Sequence, residues 1–191
     1  MAKQLGIPSR KDPVKEYLSN PRLFEKKAEI IRRKKKRNKN CYQKTKNFLV
    51  YQYGLPDDKI YESEYFRRFL TSINEKFTLI AVADHFDESL VLMRRKLCWK
   101  LDDILYHTFN NATYRFKSSD SDGTLRTQYR EWNRLDYKFF DHFNKTLWDK
   151  ISQEGPDFWE EVKYFKEVNA NVSSFCSKTL SRTAQAPLGP V

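Results

Sequence analysis

The residues best equipped for chemistry lie close together between Asp84 and Tyr106, in the stretch DHFDESLVLMRRKLCWKLDDILY. His85 is of the type that titrates near neutrality. The carboxylates of Asp84, Asp87 and Glu88 around it can orient an imidazole, which is what acid–base chemistry requires. Asp102 and Asp103 come later in the same stretch, where they can accept hydrogen bonds from a sugar or simply solvate a helix face. A chain with 32% charged residues also gathers such groups by chance. Three readings therefore stand for His85, Asp87 and Glu88: catalysis, binding or shaping of an acceptor site, and capping of a helix start. Metal binding is not expected. His85, Asp87 and His107 have no signature spacing, and Cys41, Cys98 and Cys176 form neither a CxxC pair nor a Cys/His set. A phosphate cradle is also excluded here, because the junction is acidic and lacks the glycine that lets backbone N–H groups converge on an anion.

Several elements must position these groups. FTLIAVA, Phe77 to Ala83, is β-rich and uncharged, as suits a strand buried on both faces. Asp87 is then a good N-cap and Glu88 suits the first turn of a helix. Leu90, Met93, Leu97, Leu101 and Ile104 recur at spacings of three and four, which predicts one amphipathic helix from Glu88 to about His107. Cys98 and Trp99 fall inside it, the thiol buried or half of a disulfide and the indole in or beside the core.

Upstream, VKEYLSNPRLF predicts a short helix that Pro21 breaks or restarts, with Asn20 as N-cap. NFLVYQYGLPDD reads as a short strand closed by a turn. Ser63 opens a helix with Phe66, Phe69, Leu70 and Ile73 on one face. Downstream of a polar loop, Trp132, Leu135, Phe139, Phe143, Leu147 and Ile151 form the stripe of a long helix. Gly155-Pro156-Asp157 starts another, with Phe158, Val162, Phe165 and Val168 inward. Trp132, Trp148 and Trp159 occupy core-compatible positions, with sugar stacking as the sharper alternative. SRTAQAPLGPV reads as a disordered tail. One buried strand cannot satisfy its own backbone groups, which suggests that the chain is part of something larger.

The 191 residues carry a net charge of +11. Eleven Lys/Arg and one Glu between Lys26 and Lys46 account for nearly all of it. Basicity confined to one segment argues against a nucleic-acid-binding surface. It reads first as a solvated helix end and loop, and next as a holder of anionic polysaccharide or acidic lipid. No apolar run is long enough to span a membrane. Three sequons, at Asn111, Asn144 and Asn171, are candidate glycosylation sites and lean toward the secretory route, where one disulfide with a cysteine left over is possible.

The stretch IAVADHFDESLVLMRRKLCWKLDDILYHTFN resembles a segment of the galactose 3-O-sulfotransferase family, which includes galactosylceramide (cerebroside) sulfotransferases. LVYQYGLP, LDYKFFDHFNKTLWDKI and VKEYLSNPRLF also match family segments, in order, from about Val14 to Phe165. The resemblance implies transfer of a sulfonate group from PAPS (3′-phosphoadenosine 5′-phosphosulfate) to the 3-hydroxyl of galactose on a glycolipid or glycan, without a metal, in the Golgi lumen. It implies an α/β, mainly helical fold that is a partial P-loop-like sulfotransferase domain with few strands. The division it implies is an N-terminal helical segment (1–25), a basic variable segment (26–46), the C-terminal part of a sulfotransferase domain (47–170) and a disordered tail (171–191). His85, Asp87, Glu88, Asp102 and Asp103 become the substrate-binding candidates.

The departures from the family pattern carry equal weight. The family's membrane anchor and its Lys-Thr-His-Lys phosphosulfate loop have no counterpart, so the catalytic and donor-binding groups are expected in a missing N-terminal half. The chain alone is then expected to be inactive. Arg10-Lys11-Asp12-Pro13 with Ser19 mimics the 3′-phosphate motif, but no apolar strand precedes it. Asp84 stands where the family has Glu, and Gln52 where it has Asp. The competing function is a non-catalytic module that uses the basic segment to hold sulfated glycans or acidic lipids.

Overall fold

A computed structural model describes residues 6–7, 12–34, 46–107 and 122–184, with the side chains of 32–34 and 177–184 excepted. Cys41, Asn111, the middle of the basic segment and the last seven residues lie outside that set. The described residues are mainly helical, and none of them forms a strand. The chain divides into two compact units, residues 1–73 with 113–141 and residues 74–112 with 142–191.

In the first unit, Asp12 caps α1 (Pro13–Ser19) by accepting the N–H groups of Val14 and Lys15 at 2.9 and 3.2 Å. Pro13 at the first helical position loses nothing, since its missing N–H would have had no partner there. Asn20 caps α2 (Pro21–Lys34) through Leu23 N at 3.1 Å, as its place before Pro21 predicts. Phe24 and Ala28 of α2 bury against Ile7, with Tyr17 and Ile31 packed alongside.

The apolar run expected as a strand, NFLVYQ, is instead a short helix, α3 (Phe48–Gln52). Its first N–H groups have tertiary partners: Asp136 accepts from Leu49 and Val50 at 3.1 and 3.0 Å. Two buried asparagines fix the entry. Asn47 N donates to Asn133 Oδ1 at 2.8 Å, and Leu135 N donates to Asn47 Oδ1 at 3.1 Å. Asn47 holds a left-handed backbone (φ 50°), which Asn tolerates better than most residues. α4 (Ser63–Lys76) follows, with Phe66 and Ile73 buried. Tyr53, Phe69 and Phe139 gather with ring centroids 4.7 and 6.4 Å apart.

The long helix expected to include Trp132 is split. α6 (Thr124–Trp132) ends, Asn133 turns its side chain to Asn47, and α7 (Arg134–Ile151) begins anew. The predicted stripe on α7 holds, since Leu135, Phe139, Phe143, Leu147 and Ile151 are all buried. α7 gives its residues to the first unit up to Asp141 and to the second from His142.

The second unit holds the stretch of chemical interest. Phe77–Val82 is extended, but it is not the buried strand its composition predicts. Phe77 is 45% exposed, Thr78 and Ala81 are exposed, and only Val82 is buried. β-propensity expresses a fit to a pleated, half-buried surface, and among the described residues no strand offers one. The segment is fastened by side chains instead. Ser89 Oγ accepts Val82 N at 3.1 Å, and Lys150 Nζ donates to Thr78 O at 2.7 Å.

α5 (Phe86–Leu97) stops ten residues short of the expected end at His107, because Cys98 adopts a left-handed backbone (φ 54°) and closes the helix there. A 3₁₀ turn, Leu101–Ile104, follows. The buried positions of α5 are Ser89, Val91 and Leu92, while Leu97 of the predicted stripe is exposed. Cys98 and Trp99, expected inside, are exposed as well. α8 (Asp157–Ala184) starts where Gly155-Pro156-Asp157 predicts and buries Phe158, Val162, Phe165 and Asn169. It runs through residues 171–184, which the sequence alone assigned to a disordered tail.

Candidate functional site

The candidate site is built where α5 begins. A 3₁₀ turn, Ala83–His85, leads into the helix, so His85 stands at the N-cap position and Asp87 in the first turn. The capping role expected of Asp87 therefore does not arise. Its carboxylate accepts the Tyr106 hydroxyl at 2.8 Å. Lys166 of α8 donates to Glu88 at 2.7 Å and lies 3.9 Å from Asp87. Two acidic residues of the first turn thus share one ammonium group and one phenol, both from elsewhere in the unit.

Tyr106 is held by α8. Asn169 Oδ1 accepts its backbone N–H at 2.9 Å, Ser173 Oγ donates to its carbonyl at 3.2 Å, and Phe86 meets its ring edge-on at 5.0 Å. Burial and the Asp87 carboxylate push the Tyr106 phenol up to about 12. It stays a hydrogen-bond donor at any physiological pH. At Glu88, burial raises the carboxyl, but the Lys166 bond and a backbone bond outweigh it, and His85 adds attraction. The net direction is downward, so Glu88 is ionised at neutral pH.

His85 packs edge-on against Trp148, with centroids 4.7 Å apart, and Trp148 stacks on Trp159 at 6.1 Å. Trp159, expected in the core, is 50% exposed. The beginning of α5 therefore carries two carboxylate side chains, an imidazole and an aromatic shelf. Such a surface can accept hydrogen bonds from hydroxyl groups and pack an apolar sugar face.

The other candidates sit apart from this constellation. Asp103 accepts Lys100 N at 2.8 Å and so closes its own turn, and Asp102 is exposed. Asn144 is half-buried on α7, and Asn171 is exposed on α8. Arg94 and Arg95 serve the scaffold. Arg95 donates to Glu161, Asp157 and Glu154 at 2.7, 2.7 and 3.2 Å, Arg94 reaches Glu161 at 3.1 Å, and Lys96 reaches Glu154 at 2.8 Å. These bridges tie the end of α5 to the start of α8. A cavity of about 230 Å³ in this unit is lined by Thr78, Leu79, Met93, Lys96 and Leu97 and does not include His85, Asp87 or Glu88. Among the described residues, no three His, Cys, Asp or Glu are placed to hold a metal ion, and no helix is long and apolar enough to cross a membrane.

Sequence reasoning missed Lys166 as a site residue. It follows the buried Phe165 on a helix far along the chain, and only the packing of α5 on α8 brings it to Glu88.

The family model for galactose-3-O-sulfotransferase matches residues 6–186. The chain belongs to that family. Among relatives, human galactose-3-O-sulfotransferase 2 is 32% identical over 162 residues, covering 84% of this chain and 38% of the relative. Mouse galactosylceramide sulfotransferase is 30% identical over 132 residues, 69% of this chain and 31% of its own. Bovine galactose-3-O-sulfotransferase 4 is 39% identical over 95 residues, 45% and 20% of the two chains. The chain thus spans well under half the length of these relatives. No solved structure matches it.

Proposed function

We propose that this chain serves the transfer of a sulfonate group from PAPS to the 3-hydroxyl of galactose on a glycolipid or glycoprotein glycan in the Golgi lumen, and that it supplies the acceptor side of that reaction. The observation carrying this reading is the Asp87–Glu88 pair and His85, within the stretch Ile80 to Asn110 that resembles the family, together with the Trp148–Trp159 shelf against His85.

In such a transfer the galactose hydroxyl attacks sulfur and gives up its proton, and the bond from sulfur to the phosphate oxygen breaks. Glu88 and Asp87 accept hydrogen bonds from sugar hydroxyls, Lys166 and Tyr106 hold the two carboxylates in place, and the indoles pack the sugar's apolar face. This surface does not fit the donor. PAPS carries several negative charges, and Asp87 and Glu88 would repel them with only Lys166 in compensation. The donor-activating groups are assigned to the part of such enzymes that this chain does not span, with residues 47–170 as the C-terminal part of the sulfotransferase domain.

The test is a transfer assay with ³⁵S-labelled PAPS and lactose or N-acetyllactosamine as acceptor. The protein is the chain itself and a longer polypeptide that contains it. Label at the galactose 3-hydroxyl, lost when that position is methylated, supports the reading. Label that survives 3-O-methylation contradicts it.

A further inference from the structure

We propose that the first unit carries a second binding site, for an anionic saccharide, in the cleft between the α1–α2 corner and α6. The cleft has a volume of about 540 Å³, which suits one or two sugar rings, and every residue lining it belongs to the first unit. The inference does not depend on the acceptor role assigned to the second unit.

Three cations border the cleft: Arg22, Lys46 and Arg134. None is ion-paired with a carboxylate among the described residues. Lys46 Nζ lies 4.8 Å from the ring centre of Trp132 and 5.5 Å from that of Tyr61, and it donates to the Tyr61 hydroxyl at 3.4 Å. Two rings thus hold the ammonium by cation–π attraction, which fixes a charge without neutralising it. The Trp132 indole N–H is buried and has no hydrogen-bond partner among the described residues. Gln128 and Glu131 line the same cleft and suit hydroxyl groups.

The balance of groups selects the ligand class. Three cations against Glu131 favour one or two negative charges, whereas a nucleotide bisphosphate would crowd its phosphates against that carboxylate. Lys46 lies over both rings, so neither offers that face to a purine. A sugar bearing a sulfate or carboxylate uses what is left: cations for its charge, polar side chains for its hydroxyls, and ring edges for its apolar face.

The test is titration of the whole chain with a chondroitin 6-sulfate disaccharide, followed through the Trp132 indole resonance and by calorimetry. Lactose, inorganic sulfate and adenosine 3′,5′-bisphosphate are the comparison ligands. Saturable binding that shifts Trp132 is expected, weaker by about tenfold in Lys46→Gln and in Arg134→Gln and unchanged in Glu88→Gln. Both variants replace side chains without ion-pair partners among the described residues, and unchanged melting curves establish that they fold. The proposal is overturned by an unmoved Trp132 resonance or by wild-type affinity in either charge variant. It is equally overturned if lactose, sulfate or the bisphosphate shifts the Trp132 resonance with an affinity as tight as the disaccharide's.

Discussion

Tyr106 donates its hydroxyl to Asp87 while α8 holds its backbone on both sides. Tyr106→Phe keeps the ring and removes one charge-assisted hydrogen bond, a loss of about 1–2 kcal/mol in thermal or urea denaturation. The pH sign follows from a raised phenol. The contribution is complete below the ordinary tyrosine value of 10.0 and is lost as pH rises through about 12, which ultraviolet titration of wild type against Tyr106→Phe reads directly. Cys98 offers the opposite change. A non-glycine residue at φ 54° is strained, so Cys98→Gly should raise stability by about 1 kcal/mol in denaturant titration. His85, Asp87 and Glu88 are legible in the sequence as a local cluster, because they lie within four consecutive residues at one helix start. Their partners Tyr106 and Lys166 are not, because hydrogen bonds across 19 and 78 positions depend on packing and not on spacing.

Helix boundaries show where local pattern stops being informative. α7 and α8 carry long stripes of Phe, Leu and Val, and their buried faces follow the predicted spacing. α3 contradicts its β-rich composition because Asp136 satisfies two of its first N–H groups, a partner 86 residues or more away. α6 and α7 separate because Asn133 is needed by Asn47. Asn133→Ala should therefore cost about 2 kcal/mol by leaving a buried N–H unpaired, as denaturant titration would measure. In the second unit, Arg95 joins the end of α5 to three carboxylates at the start of α8. Lys96 and then Arg95 hold the Glu154 carboxyl below its ordinary value of 4.5, against an opposing effect of burial. The stability this confers is present above pH 4.5 and drains away as pH falls below it. Arg95→Met should flatten that acid limb of a melting-temperature profile.

Across the whole molecule, a net charge of +11 hides an uneven distribution. The basic segment supplies almost all of it. The cleft of the first unit gathers cations that have no ion-pair partners among the described residues, whereas the α5 start in the second unit is acidic. A single chain thus presents two surfaces of opposite charge, to which the proposals above assign an anionic ligand and neutral hydroxyls. The predicted central strand has no described partner, and its backbone is fastened by Ser89 and Lys150 instead. Family membership was legible because the stretch from Ile80 to Asn110 combines residue types that rarely recur together. The helical character of the flanking segments was legible from their stripes, and the division into two units was not.

The measurement closest to the proposed role is titration of the chain with methyl β-galactoside, read by NMR at the His85 imidazole and the Trp159 indole. Saturable shifts at both, with affinity about tenfold weaker in Glu88→Gln and unchanged in Lys46→Gln, are the predicted result. Shifts absent from both residues, or equal affinity in wild type and Glu88→Gln, would contradict an acceptor surface at the start of α5.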